Sequence, residues 1–158
     1  METLLYHYDM GSKLRKKQNV ASKINGKTFV LSENPMGIKD IKFTFTDKEG
    51  VFEYTNAQGK KELKFGIGEN AFGKFPQEGY SDLVGGVEAP GNYYDCAASG
   101  VWTGATQLAV AVQVIDKYLG RLYMRFAFPD ENTITIEMNK VAENFMNEYQ
   151  GYAEGKAE

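Results

Sequence analysis

Apolar and polar residues alternate with period two over much of the chain. Ile41, Phe43 and Phe45 alternate with Lys42, Thr44 and Thr46; Leu108, Val110, Val112 and Val114 alternate with Ala109, Ala111 and Gln113. Leu122, Met124, Phe126 and Phe128 alternate with Arg121, Tyr123 and Arg125, and Ile134, Ile136 and Met138 with Thr133, Thr135 and Glu137. Successive side chains of an extended strand point to opposite faces, so each stretch predicts a strand with one buried and one wet face. Weaker strands are expected over 27–33, 51–56, 61–67 and 93–102. The connections "DKEG", "NAQGK", "TGA" and "PDEN" are short and turn-like. Short turns join antiparallel neighbours, whereas parallel strands need long crossovers.

The expected fold is therefore all-β: an antiparallel up-and-down barrel of about eight strands, lipocalin- or calycin-like, because closure removes open sheet edges. Its inward set includes Phe43, Phe45, Leu122, Met124, Phe126, Phe128 and Met138. These are large side chains, which favour a filled interior over a roomy one.

Two segments break the period. Gly68 to Asn92 reads as a long glycine-rich loop, a length that in compact domains usually has a functional role. In "VAENFMNEYQGYAEG", Val141, Phe145 and Tyr149 recur at i, i+4 and i+8, which predicts an amphipathic helix ended by Gly151. That helix is expected outside the barrel, over Ala109, Ala111 and Ile115. The expected division is 1–25 as an N-terminal segment or linker, 26–139 as the barrel, and 140–158 as the C-terminal helix and tail.

A chain of 158 residues suits one core, and 42% hydrophobic with 25% charged residues is an ordinary globular composition. The net charge of −3 gives no basic face for nucleic acid. The run "SKLRKK", Ser12 to Lys17, reads as a solvated linker. No apolar run is long enough for a membrane-spanning helix. The N-terminus lacks the charge order of a signal peptide, so the chain reads as cytoplasmic. One cysteine, Cys96, and one histidine, His7, rule out an internal disulfide and leave too few ligands for a Cys/His zinc site. No metal or cofactor is expected.

"GIGENAFGKF", Gly66 to Phe75, fits the dinucleotide pattern G-x-G-x-x-A, but no helical period follows to hold a pyrophosphate. Gly66 and Gly68 instead predict a bend at the barrel rim, with Phe72 and Phe75 folding back over the mouth. "YTN" (Tyr54 to Asn56) and "WTG" (Trp102 to Gly104) echo serine β-lactamase elements, but no S-x-x-K or G-x-S-x-G nucleophile is present. No catalytic residue is expected.

From about Lys23 onward, "FGIGENAFGKFP", "YYDCAASGVWTGATQLAVAVQVIDKYLGRLYMRFAF" and "NKVAENFMNEYQGYAEGK" resemble the C-terminal domain that follows the catalytic domain in serine hydrolases of the β-lactamase/penicillin-binding type in Firmicutes. The resemblance implies a lipocalin-like, non-catalytic accessory barrel that shapes substrate access or mediates contacts with the catalytic domain of the same parent protein. The alternative is a free-standing binder of a small apolar ligand or peptide. For ligand contact at the mouth and lid loop, the candidates are Trp102, Tyr93, Tyr94, Gln113, Phe72 and Phe75.

Overall fold

The computed structural model describes residues 19–76, 94–115, 119–142 and 146–158. A single helical turn, α1 (Ala21–Ile24), precedes ten strands: β1 (Thr28–Leu31), β2 (Asp40–Phe45), β3 (Glu49–Asn56), β4 (Gly59–Ile67), β5 (Ala71–Phe75), β6 (Tyr94–Gly104), β7 (Gln107–Ile115), β8 (Leu119–Asp130), β9 (Thr133–Val141) and β10 (Gly151–Ala157). All eight strands expected from alternation are present. The other two, β5 and β10, lie in the segments where the period fails.

The sheet runs β4-β3-β2-β1-β10-β9-β8-β7-β6-β5, and β4 also pairs with β6. Nine strands therefore form a closed ring, and β5 lies against the first half of β6 (Phe75↔Tyr94 to Ala71↔Ala98). The closing pair is short and parallel, Gly66↔Ser99 and Ile67↔Gly100. The Gly68 amide extends it by donating to the Gly100 carbonyl at 2.9 Å. Gly68 has φ +75, a conformation that suits glycine, and here the chain leaves β4 and reverses into β5. The bend expected at this rim is thus present, but most of the expected loop before residue 76 is strand.

The C-terminal segment corrects the expectation of an outer helix. Residues 146–149 form a turn, and Gly151–Ala157 pairs with β9 on one side and β1 on the other. Tyr152, Glu154 and Lys156 face out and Ala153 faces in. Gly155 lies so close to β1 that a Cβ would stand 2.5 Å from the Val30 carbonyl oxygen. Gly151–Ala157 is therefore part of the barrel wall. Within the expected linker, Ile24 is fully buried and joins the core.

Aromatic rings from opposite walls meet inside. β2 and β8 are separated by three strands one way round the ring and four the other, yet Phe43 and Phe126 contact edge to face at 4.8 Å. Phe52 of β3 reaches the same Phe126 at 5.2 Å. The Phe65 ring occupies space left by Gly50 and Gly100, where added Cβ atoms would lie 2.3 and 2.6 Å from it. Each buried ring removes an apolar area worth about 2–3 kcal/mol from water, and edge-to-face pairs add about 1 kcal/mol.

A chain ending at Asn139 loses β10, the bridge between β9 and β1, and is expected to show no cooperative urea unfolding transition. A truncated chain with the midpoint of the full chain would refute this assignment of β10.

Candidate functional site

The two ends of the barrel differ in chemistry. At the end holding the β6–β7 turn, Trp102 lies half-buried against Phe45 (5.7 Å) and Phe128 (6.2 Å). Val20 covers this end from α1, its amide donating to the Ala105 carbonyl at 2.9 Å. This end is apolar and closed.

At the opposite end the inward side chains are Tyr54, Phe75, Tyr94, Met146 and Tyr149, all buried. The Tyr54 and Tyr149 hydroxyls are hydrogen-bonded at 2.7 Å. Phe75 packs on Tyr149 at 5.2 Å, and Tyr54 stacks on Phe52 at 4.6 Å. Met146 and Tyr149 both descend from the β9–β10 connection and stopper this end. The stopper is placed by a strained backbone, with Met146 at φ +57, sparsely populated for a residue with a side chain. Lys140 at the end of β9 donates a hydrogen bond to the Asn147 side-chain oxygen and ties the connection to the wall.

Lys61 belongs to the same end. It is the Cα partner of Tyr54 in the β3–β4 ladder and lies in phase with the inward Leu63 and Phe65. It is only 8% exposed. Among the described residues, no acceptor is bonded to its ammonium group. No fully buried side-chain nitrogen among the described residues lacks a partner, so the Lys61 stem is buried while its ammonium reaches solvent at this rim and offers a positive charge there.

Burial controls both shifted titrations. It pushes the Tyr54 hydroxyl well above its usual value, helped by the Tyr149 hydroxyl and by Glu148, so Tyr54 stays neutral. It also raises the Cys96 thiol from 9.0 to about 11, with Asp95 adding to the rise and Lys74 opposing it. Cys96 points inward from β6 and is an inert core thiol. Among the described residues, no group of three or more His, Cys, Asp or Glu side chains could hold a metal ion.

The candidate ligand residues do not form one mouth. Tyr94 and Phe75 are paired at the tyrosine end, but Trp102 closes the opposite end. Phe72 is 75% exposed on the outer face rather than folded over the barrel, because it alternates with the inward Ala71 and Phe75 across a short strand. Gln113 faces outward on β7, in phase with Ala109 and Ala111, so it lines no interior. Tyr93 lies outside the described residues. Tyr54, Lys61, Met146 and Tyr149 were not anticipated as site residues. Lys61 had a legible signal, since it falls in the apolar phase of its strand.

A second concavity lies outside. The outer faces of β6 to β9, with Glu69 and Asn70, form a groove of about 880 Å³. Ala109 and Ala111 make its floor, and Val101, Tyr123, Arg125, Glu137 and Asn139 its sides. This is the face expected to lie under the C-terminal helix, and no described element covers it.

No protein-family model matches the chain, and no curated protein does. Solved structures of similar fold include the brain fatty-acid-binding protein of Drosophila melanogaster, at 9% identity and TM-score 0.49, covering 85% of this chain and 99% of that one. The fatty-acid-binding protein isolated from Manduca sexta gives 11% identity and TM-score 0.46, over 85% and 98%. Human cRBP IV gives 12% and 0.47, over 84% and 96%.

Cys96 and Tyr54 set a pH dependence. Both stay protonated in the folded state above the pH at which the unfolded chain releases its protons, so their contribution is fully present below about pH 9. It is lost as the pH rises toward 11. The urea midpoint is expected to hold between pH 7 and 8.5 and fall from 9 to 11, and Cys96→Ala should flatten part of that fall. A fall of equal steepness in the variant would show that Cys96 does not contribute.

Proposed function

We propose that the chain is a non-catalytic binding barrel for a small apolar ligand carrying one anionic head group, received at the tyrosine end. The observation that carries this reading is Lys61, whose stem lies in the inward phase of β4 and whose ammonium stands at the solvent edge of the tyrosine end without a bonded acceptor among the described residues. The ligand enters as Met146 and Tyr149 withdraw, so its apolar body replaces their packing. Its head group then serves Lys61 and takes the place of the Tyr149 hydroxyl on Tyr54. Without that replacement, the buried Tyr54 hydroxyl would lose its partner at a cost of about 1–3 kcal/mol. The strain at Met146 lowers the cost of withdrawing the stopper.

The test is a titration of the full chain with a fluorescent long-chain fatty acid and with its methyl ester. Saturable binding of one equivalent of the acid is expected, with the ester weaker by about 10–100-fold, the range for a charge-assisted hydrogen bond. Lys61→Met should abolish that difference. Tyr149→Ala should tighten binding of the acid, because the stopper no longer competes. Absence of saturable binding in both the native chain and Tyr149→Ala would sink the proposal, and equal affinity for acid and ester would remove Lys61 from it.

A second reading, an accessory barrel beside a serine-hydrolase catalytic domain, is favoured by the uncovered outer groove on β6 to β9. An S-x-x-K motif encoded in frame upstream of Met1 would support it, and its absence there would count against it.

A further inference from the structure

The outer wall of the barrel carries a row of side chains whose charge and shape match a second copy of themselves. The row crosses five strands in register: Val101↔Ala109, Ala109↔Arg125, Arg125↔Glu137 and Glu137↔Tyr152. Its ends are apolar and open to solvent, with Tyr152 57% and Val101 52% exposed. At its centre, Arg125 of β8 and Glu137 of β9 are exposed neighbours of opposite charge. No ion pair joins them; among the described residues the ion pairs are Lys42–Glu53 and Lys74–Asp95. Both charges are therefore left to reach outward. Hollows lie on either side of the pair along the strands. One is the groove of about 880 Å³, extending toward Tyr123 and Asn139. The other, of about 450 Å³, extends toward Gln107 and Thr135 and has Tyr152 in its wall. Ala109 lines both hollows and leaves room for a large side chain.

A two-fold axis lying in this face, parallel to the strands and midway between β8 and β9, exchanges the two sides of the row. It sets Arg125 of each copy against Glu137 of the other, so two ion pairs form. The same rotation carries β10 over β7. Tyr152 of each copy then meets the small Ala109 of the other, with Val101 beside it. The rows on either side obey the same rotation: Tyr123 meets Asn139, and Gln107 meets Glu154. No like charges face each other in any of these rows. Exposed tyrosine and arginine over small side chains are also the composition of an interface centre.

We infer that a second copy of the chain docks on this face, forming a two-fold dimer through reciprocal Arg125–Glu137 pairs, with each Tyr152 seated in the hollow over Ala109 of the other copy. The contact lies on the outside wall and is independent of what the barrel interior holds.

Sedimentation velocity of the full chain tests this, over about 1 to 500 µM, a range that covers weak association through a small interface. A reversible rise to twice the chain mass is expected. Arg125→Glu and Glu137→Arg should each weaken the dimer by at least about 10-fold, because like charges then face each other across the axis. The double variant Arg125→Glu/Glu137→Arg should restore it, since the rotation pairs the exchanged charges again. Tyr152→Ser, which changes no charge, should weaken it by about 10-fold. Circular dichroism checks that each variant keeps the barrel. A chain that stays monomeric throughout would overturn the proposal and leave this face to a different protein. A dimer that neither Tyr152→Ser nor the charge reversals weaken would overturn it too, by placing the contact elsewhere.

Discussion

Everything in this barrel depends on filling it. A ring of nine strands encloses more space than small side chains can occupy, and an empty interior would forfeit the contacts that stabilise a core. The chain meets that demand with aromatic rings that cross from wall to wall. Phe126 of β8 touches both Phe43 and Phe52, on strands far from it around the ring. The wall is then shaped to the filling. Gly50 and Gly100 lack side chains where the Phe65 ring lies, and Gly155 lets β10 approach β1 closely.

The filling is uneven in kind. Around Phe43 and Phe126, and on to the Trp102 end, it is apolar and comes from the strands themselves. At the tyrosine end it comes partly from a connection, through Met146 and Tyr149, and includes hydroxyl groups. Side chains fixed on strands are held by ladders on both flanks. Those delivered by a connection have no such ladders, and Met146 holds a backbone in a sparsely populated region.

The strands that bury one face were legible because burial writes itself into alternation. Phe43, Val110, Phe126 and Ile136 all face inward as the pattern required. β10 was not legible because its demands are for smallness, not hydrophobicity. Ala153 and Gly155 carry no periodic apolar signal, while Val141, Phe145 and Tyr149 just before them recur at helical spacing. In Tyr149 that spacing reflected a real need for burial, met inside the barrel rather than on its surface. The candidate site was less legible than the fold. Phe75 and Tyr94 pair across β5 and β6 at one end while Trp102 lies at the other, a division that only the register supplies. Gln113 and Phe72 were misplaced by being weighed for chemistry before phase: each alternates with inward neighbours and must face out.

Lys61 is where local preference and fold disagree most. A leucine there would continue the apolar face of Leu63 and Phe65 and would add to the core by about 1.5–3 kcal/mol. A lysine instead buries its stem beside the aromatic interior and carries its charge to the solvent edge, with no acceptor bonded to it among the described residues. Positions where a sequence breaks the rule its own strand follows tend to be those shaped by function. The neighbouring features agree: Tyr54 is kept neutral as a hydrogen-bonding group, and Tyr149 satisfies it from a segment whose backbone is strained. An apolar plug would have closed this end with less conflict. A polar stopper beside a rim cation separates the tyrosine end from the rest of an otherwise apolar, filled barrel.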